Sequence, residues 1–146
     1  MSLEALQKWR AQNVEVLMME LAQLSQSLAR NEEQCRVLES TIHTDTMRYD
    51  QETQRGMTVE ALMEWQGRLE SQQCALRRVR HEVEQVTLAW HQTKARLVEA
   101  NQEHTLLGRI IDQRRHTQRV EAANKEQQMT DEAGTRSYVR ERINQT

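Results

Sequence analysis

An apolar side chain recurs at almost every seventh position from Leu62 to Ile111. A second set of mostly apolar positions lies three residues after the first. Steps of three and four place both sets on one side of a helix, and a repeat of 3.5 residues keeps that side facing one partner helix. We therefore predict a coiled-coil seam. The first set is Leu62, Leu69, Leu76, Val83, Trp90, Leu97, His104 and Ile111, and the second is Trp65, Gln72, Val79, Val86, Thr93, Ala100, Leu107 and Arg114.

The first half of the chain carries a matching seam. Steps of four and three run from Leu17 to Tyr49, and nothing in residues 2–53 would break a helix. Upstream, the pattern weakens, so we expect looser packing there. The seam comprises Leu17, Leu21, Leu24, Leu28, Asn31, Cys35, Leu38, Ile42, Asp45 and Tyr49, and the weaker positions are Leu3, Leu6, Trp9 and Val14.

The two seams are separated by a turn that we place at residues 54–58. Gly56 can adopt the left-handed conformation that ends a helix, and Thr58 can cap the next one. So short a connection makes the helices antiparallel, and opposite residues should have numbers that sum to about 112. The expected neighbours are Leu62 with the Tyr49 region, Val83 with the Leu28 region, and His104 with Lys8 and Trp9.

The second helix should outlast the first. We predict that it spans residues 59–130, although the first helix can cover it only to about residue 111. Polar side chains occupy the seam positions beyond that point, and a basic cluster lies there. We expect weak order in residues 131–146, which offer little to bury. The polar seam residues are Arg114, Gln118 and Glu121, and the basic cluster is Arg109, Arg114, Arg115 and Arg119.

Composition supports an all-α fold with a single antiparallel coiled-coil hairpin as its domain. Phe and Pro are absent and 29% of the residues are charged, which favours long helices over a thick core. A net charge of −2 argues against nucleic-acid binding. The longest apolar run, Val16 to Met19, is too short to insert into a membrane. With no signal-peptide pattern, we expect a cytoplasmic protein.

The motifs of enzymes and metal sites are incomplete. His81 and Glu82 begin like a zinc-protease helix, but Gln85 stands where the second histidine is required. The four glycines lie far apart and form no phosphate loop. We therefore predict no catalytic residue, no metal and no cofactor.

Four other residues each have a structural and a functional interpretation. His104 fits a packed seam histidine better than a pH switch. Cys35 lies in the seam and Cys74 on the outer side, so two free thiols are favoured over a disulfide. Gly67 costs stability in an exposed helix, and it is either merely tolerated or lets a partner approach closely.

Three stretches resemble the flagellar FliJ family: residues 56–66, Trp90 with residues 94–97, and residues 126–133. The resemblance spans nearly the whole chain. It implies a two-helix coiled coil that acts as the central stalk of a hexameric export ATPase and stimulates it. It also implies contact with the export-gate membrane protein, which would place the chain at the inner membrane through its partners. Export chaperones are an additional candidate partner.

The resemblance also implies which residues bind each partner. It places the ATPase-facing end in residues 3–13 and 110–125, with Arg109 adjoining. It maps the gate-facing surface to a stripe whose first two residues depart from the family's apolar character. The ATPase-binding candidates are Leu3, Leu6, Trp9, Arg109, Ile110, Arg114, Arg115 and Arg119, and the export-gate candidates are Arg68, Gln72, Ala75 and Val79.

Two alternatives to this interpretation stay open. One is a stalk homologue of an injectisome, because close kin serve in both systems. The other is a scaffold or tether whose seam pairs between chains, which gives a dimer. A hairpin that satisfies both seams within one chain is instead expected to be a monomer on its own.

Overall fold

The structure, a computed structural model, describes residues 2–145 and consists of two long helices. Helix α1 spans Leu3–Arg55 and helix α2 spans Val59–Asn144. They pack against each other, and the described residues contain no strand. The predicted all-α helical hairpin with a longer second helix is therefore confirmed.

The turn between the helices follows the predicted capping chemistry. Gly56 has a φ of 99°, in the left-handed region that glycine adopts without a steric penalty. The Thr58 hydroxyl accepts a hydrogen bond of 3.2 Å from the Ala61 amide, which satisfies one of the free donors at the start of α2. The helices end and begin within two residues of the predicted turn boundaries.

Contacts divide the chain into two units, each built from parts of both helices. We predicted a single hairpin domain over residues 1–146. One unit, which we call the hairpin unit, is Asn13–Ala100 and includes the turn. The other, the terminal unit, is Met1–Gln12 with Asn101–Thr146.

The hairpin unit buries the predicted seam. Every predicted seam position of α1 from Leu17 to Tyr49 is buried or half-buried, and so is every one of α2 from Leu62 to Ala100. Leu76 is 8% exposed, Thr93 7% and Asp45 5%. Most of the other seam residues are only half-buried, because two helices cover one face of each other and leave the flanks in water.

Pairing in the hairpin unit is shifted slightly from the prediction. The Tyr49 and Trp65 rings lie 6.2 Å apart, and their numbers sum to 114 rather than about 112. The shift arises because the turn is centred on Met57 and not on Gly56. Val83 accordingly shares a groove with Cys35 and Glu32, a few residues beyond the predicted Leu28 region.

The terminal unit pairs the start of α1 with α2 up to Ile111. Leu107 is 8% exposed and Ile111 3%. A Cβ added at Gly108 would lie 3.9 Å from the side-chain amide nitrogen of Gln7, an ordinary contact distance, so α1 packs next to α2 at this position. Ile111 is the last buried residue of the chain as far as position 145.

One predicted seam position in the terminal unit is wrong. Trp9 is 52% exposed and lies outside the seam. Arg10 is half-buried in its place, and its guanidinium forms an ion pair with Glu103 of α2. The spacing between Leu6 and Val14 does not distinguish these neighbouring positions, because apolar residues are sparse in this part of the pattern.

The end of α2 also differs from the prediction. The helix continues past residue 130 to Asn144, so the predicted end of α2 at residue 130 is wrong, while Thr146 lies outside the described residues. Weak order of this terminal stretch stays a prediction. No proline interrupts this stretch, and the Thr130 and Thr135 hydroxyls donate to carbonyls one turn back, at 2.9 Å each. We call residues 112–144, which are all exposed, the overhang.

Candidate functional site

The overhang is a helix with no apolar face of its own to bury. Seam spacing continues along it, but the positions carry polar and charged side chains. The largest apolar side chains lie scattered along it and in water: Val120 is 44% exposed, Tyr138 62% and Met129 67%. A helix stabilised by neither a packed face nor a partner is marginal in water. The overhang is therefore the part of the chain best suited to becoming ordered against another molecule.

A basic cluster lies where the overhang leaves α1. Arg109, Arg114, Arg115 and Arg119 are all exposed. Arg114 and Arg115 line a groove of about 240 Å³ together with Leu3, at the first turn of α1. Guanidinium groups in such an open groove can reach carboxylates or carbonyl oxygens of a partner.

The structure brings only some of the predicted ATPase-binding residues together. Leu3 lines the groove beside Arg114 and Arg115, whereas Leu6 is half-buried nearby in α1. Trp9 and Ile110 are exposed, by 52% and 42%, and could contact a partner directly. All these residues belong to the terminal unit.

His104 is a seam histidine of the terminal unit. It is half-buried in a groove that Gln7, Lys8 and Ala11 also line, so Lys8 is a neighbour of His104 as predicted, whereas Trp9 does not line this groove. Its Nδ1 atom is buried and has no hydrogen-bond partner.

The predicted export-gate residues lie in the hairpin unit, and two of them are engaged within the chain. The Gln72 side-chain amide donates a hydrogen bond of 2.7 Å to Asp45, and the Arg68 guanidinium lies 3.6 Å from the same carboxylate oxygen. Ala75 and Val79 are half-buried. The stripe is therefore partly seam, and its most accessible member is Arg68, whose side chain is 57% exposed.

The Asp45 carboxylate forms a polar layer in the seam that the sequence analysis did not identify. Asp45 is 5% exposed, and Gln72 and Arg68 are the side chains that compensate its charge. The available signal was a polar residue in each seam, Asp45 in α1 and Gln72 in α2, although their numbers sum to 117 and the rule of about 112 does not place them opposite each other.

Arg68 and Trp65 form part of a second cluster near the turn. The guanidinium lies 5.3 Å from the centroid of the Trp65 ring, within the range of a cation–π interaction. The indole N–H of Trp65 donates 2.8 Å to Glu52 of α1. These contacts fix Arg68 at the edge of the seam with its outer side in water.

The remaining chemistry is sparse. No group of three or more metal-ligating side chains comes together within residues 2–145, and neither helix there has a stretch long and apolar enough to cross a membrane. Cys35 is half-buried and Cys74 exposed, and both thiols are free, as predicted. Gly67 is exposed, and a Cβ there would meet nothing within 4 Å.

Comparison with known proteins identifies a family for this chain. A family model described as "Flagellar FliJ protein" matches residues 1–142. No curated protein matches the chain, and no solved structure does. The match covers both helices and most of the overhang.

Proposed function

Because this chain belongs to the flagellar FliJ family, it is a component of the flagellar export apparatus, and we propose that it serves there as a non-enzymatic central stalk. In this role the terminal unit enters the pore of a hexameric export ATPase and stimulates ATP hydrolysis. The hairpin unit contacts the membrane protein of the export gate. The chain thus resides in the cytoplasm and reaches the inner membrane through these partners.

The observation that carries the proposal is the exposed overhang with arginines at its base. A helix without an apolar stripe gains little from packing on a flat hydrophobic surface. A pore lined by polar groups can instead surround it on all sides and satisfy its charges. Arg114 and Arg115 of α2 lie beside the first turn of α1. Both helices of the terminal unit would therefore enter such a pore together.

The mechanism follows from symmetry and charge. A single hairpin placed in a six-fold ring contacts the six subunits unequally. A subunit whose acidic or carbonyl groups meet the arginines is stabilised in one conformation relative to its neighbours, which shifts its equilibrium among nucleotide states. The chain needs no active site for this, because it acts only through differential binding.

Reversal of charge in the cluster tests the ATPase contact. The triple variant Arg114→Glu, Arg115→Glu and Arg119→Glu should abolish stimulation of the purified ATPase. Its melting temperature should equal that of the parent, because all three side chains are exposed beyond the last buried residue. Stimulation by the parent should also fall as salt is raised from about 0.01 M to 1 M, because the Debye length shortens from about 30 Å to about 3 Å.

A matched control separates position from net charge. The variant Arg30→Glu, Arg48→Glu and Arg96→Glu changes the charge equally at exposed sites of the hairpin unit. It should stimulate the ATPase like the parent. If both triple variants stimulate normally, the overhang is not the coupling element, and Leu3, Leu6 and Trp9 become the candidates.

The gate contact is tested at Ala75. This stripe residue lies outside the seam, and its methyl side chain makes no polar contact within the chain. Ala75→Glu should weaken binding of the gate protein and leave ATPase binding intact. Val79→Glu is less informative because Val79 also lies in the seam. Pull-downs in which Ala75→Glu binds the gate protein as the parent does would refute the assignment of this stripe.

A further inference from the structure

The paired part of the terminal unit exposes large apolar side chains on both helices. Trp9 of α1 is 52% exposed, and Leu106 and Ile110 of α2 are 58% and 42% exposed. Leu6 of α1 is half-buried. Single apolar residues are ordinary at a protein surface, so these side chains indicate a binding surface only if they share one face.

An ion pair identifies the flank of α2 on which the exposed residues lie. Glu103 of α2 pairs with Arg10 of α1 across the terminal unit. Leu106 and Ile110 follow Glu103 by three and seven residues. Because these spacings return to the same side of a helix, both apolar side chains lie on the flank of α2 that carries the ion pair.

Trp9 lies on the flank of α1 that meets this side of α2. On the other flank, Lys8 lines the groove beside His104, and Trp9 does not line that groove. Trp9 directly precedes Arg10, whose guanidinium pairs with Glu103. Trp9 is therefore exposed on the side of the ion pair.

The pairing of the two helices brings these side chains to the same level. Gln7 approaches the position of a Cβ at Gly108, and the numbers of these two residues sum to 115. The numbers of Trp9 and Leu106 have the same sum. Four residues thus form one continuous surface, which we call the apolar face: Leu6, Trp9, Leu106 and Ile110.

The sequence confines the apolar face of α2 to the terminal unit. One heptad before its two α2 residues stand Glu99 and Glu103, and two heptads before them stand Gln92 and Arg96. An exposed cluster of aliphatic and aromatic side chains next to charged ones is typical of a surface that binds another protein.

The apolar face adjoins the basic cluster. Ile110 and Arg114 are four residues apart on α2 and are therefore neighbours on one side of the helix. A partner that meets Arg114 also meets Ile110 and, one turn further along, Leu106. We infer that the apolar face binds an apolar surface of the ATPase pore and provides the affinity of the complex, whereas the basic cluster provides the stimulation. This inference rests on the proposed function.

Salt separates the two contributions. Burial of apolar side chains does not depend on the screening of charges, and a tryptophan at the centre of an interface is a common source of affinity. The contacts of arginines with charged groups weaken as the Debye length shortens from about 10 Å at 0.1 M salt to about 3 Å at 1 M. Affinity that resists salt should therefore belong to the apolar face.

A double variant, Trp9→Gln with Leu106→Gln, tests the inference with the full chain and the purified ATPase. Its affinity should fall by about tenfold or more at both salt concentrations. Its stimulation curve should shift to higher concentrations of the chain and reach the plateau of the parent. Leu106→Gln alone, at a site that is 58% exposed, should show the same trend with an unchanged melting temperature, which separates binding from folding.

Two comparisons make this result specific. Met19→Gln with Leu88→Gln makes the same chemical change at sites of the hairpin unit that are 65% and 55% exposed, and it should bind and stimulate like the parent. The triple reversal of Arg114, Arg115 and Arg119 should instead lose the plateau of stimulation and keep most of its affinity at 1 M salt.

The contrary outcomes distinguish this inference from the proposed function. If the parent binds and stimulates the ATPase but the double variant has an unchanged affinity, the apolar face is not the site of binding, and the proposed function stands. A double variant that loses the plateau at saturating concentration would refute the division between affinity and stimulation. A parent that neither binds nor stimulates the ATPase would refute the proposed function, and this inference with it.

Discussion

The hairpin unit and the overhang follow the same seven-residue spacing and are both helical, yet only one of them buries its seam. In the hairpin unit the seam positions are mostly Leu and Val, and Leu76 is 8% exposed. In the overhang they are Arg, Gln, Glu and Lys, and all of them lie in water. Helix formation and helix pairing thus depend on different properties of the sequence. Absence of breakers permits the helix, whereas apolar side chains at the seam provide the pairing.

Polar seam residues occur in both regions, but they are satisfied differently. In the hairpin unit the Asp45 carboxylate is 5% exposed and accepts a hydrogen bond from Gln72. In the overhang the equivalent groups are solvated. A polar seam residue is therefore expensive to mutate only where α1 covers it.

The largest difference should appear in hydrogen exchange. Amides of seam residues in the hairpin unit should exchange more slowly than those of residues 112–144 by about a hundredfold or more, equivalent to roughly 3 kcal/mol of opening free energy. Hydrogen-exchange mass spectrometry on the purified chain would measure the exchange rates of the two regions. Equal protection in both regions would contradict the view that helix pairing is what protects the hairpin unit.

Truncation of a buried side chain should be costly only in the paired region. Leu76→Ala should lower the free energy of unfolding by about 2 to 4 kcal/mol, because it removes packed volume from the seam. Cys74→Ala, two residues away and exposed, should lie within about 0.5 kcal/mol of the parent. Met129→Ala in the overhang should behave like Cys74→Ala. Denaturant melts compare the three, and a Cys74 effect as large as that of Leu76 would refute the assigned seam.

Removal of the buried carboxylate should have an intermediate effect. Asp45→Ala should destabilise the chain by about 1 to 3 kcal/mol, because Gln72 loses its acceptor in a covered position. The double variant Asp45→Leu with Gln72→Leu should recover the parent stability or exceed it, since apolar packing replaces the polar layer. If the double variant is as unstable as the single one, the polar layer stabilises the chain by more than the hydrogen bond between Gln72 and Asp45.

The smallest expected effects concern two exposed glycines, one in each region. Gly67→Ala should raise the free energy of unfolding by about 0.5 to 1 kcal/mol, because a Cβ there meets nothing within 4 Å and alanine favours the helix. Gly134→Ala should leave the melting transition unchanged and instead slow local hydrogen exchange in the overhang. A gain in stability by Gly67→Ala with a loss of partner binding would favour the interpretation that Gly67 admits a partner.

The candidate site was less predictable than the fold. The sequence located the basic cluster and the polar continuation of the seam, because charge and spacing can be read directly. It did not reveal that Arg68 and Gln72 share the Asp45 carboxylate, because that contact joins residues far apart in the chain. It also misplaced Trp9, whose apolar character suggested burial in a stretch where the pattern gave no firm register.

The sequence by itself determined the two helices, the turn at Gly56 and the seam from Leu17 onwards, because these depend on local propensity and on a strict apolar period. Only the tertiary structure decided the pairing sum of 114, the exchange of Trp9 for Arg10 and the burial of Asp45. Each of these depends on how α1 and α2 lie side by side, which is set by the fit of many side chains at once. The continuation of α2 to Asn144 depends on both the sequence and the tertiary structure, because local propensity permits the helix and no packing contact opposes it.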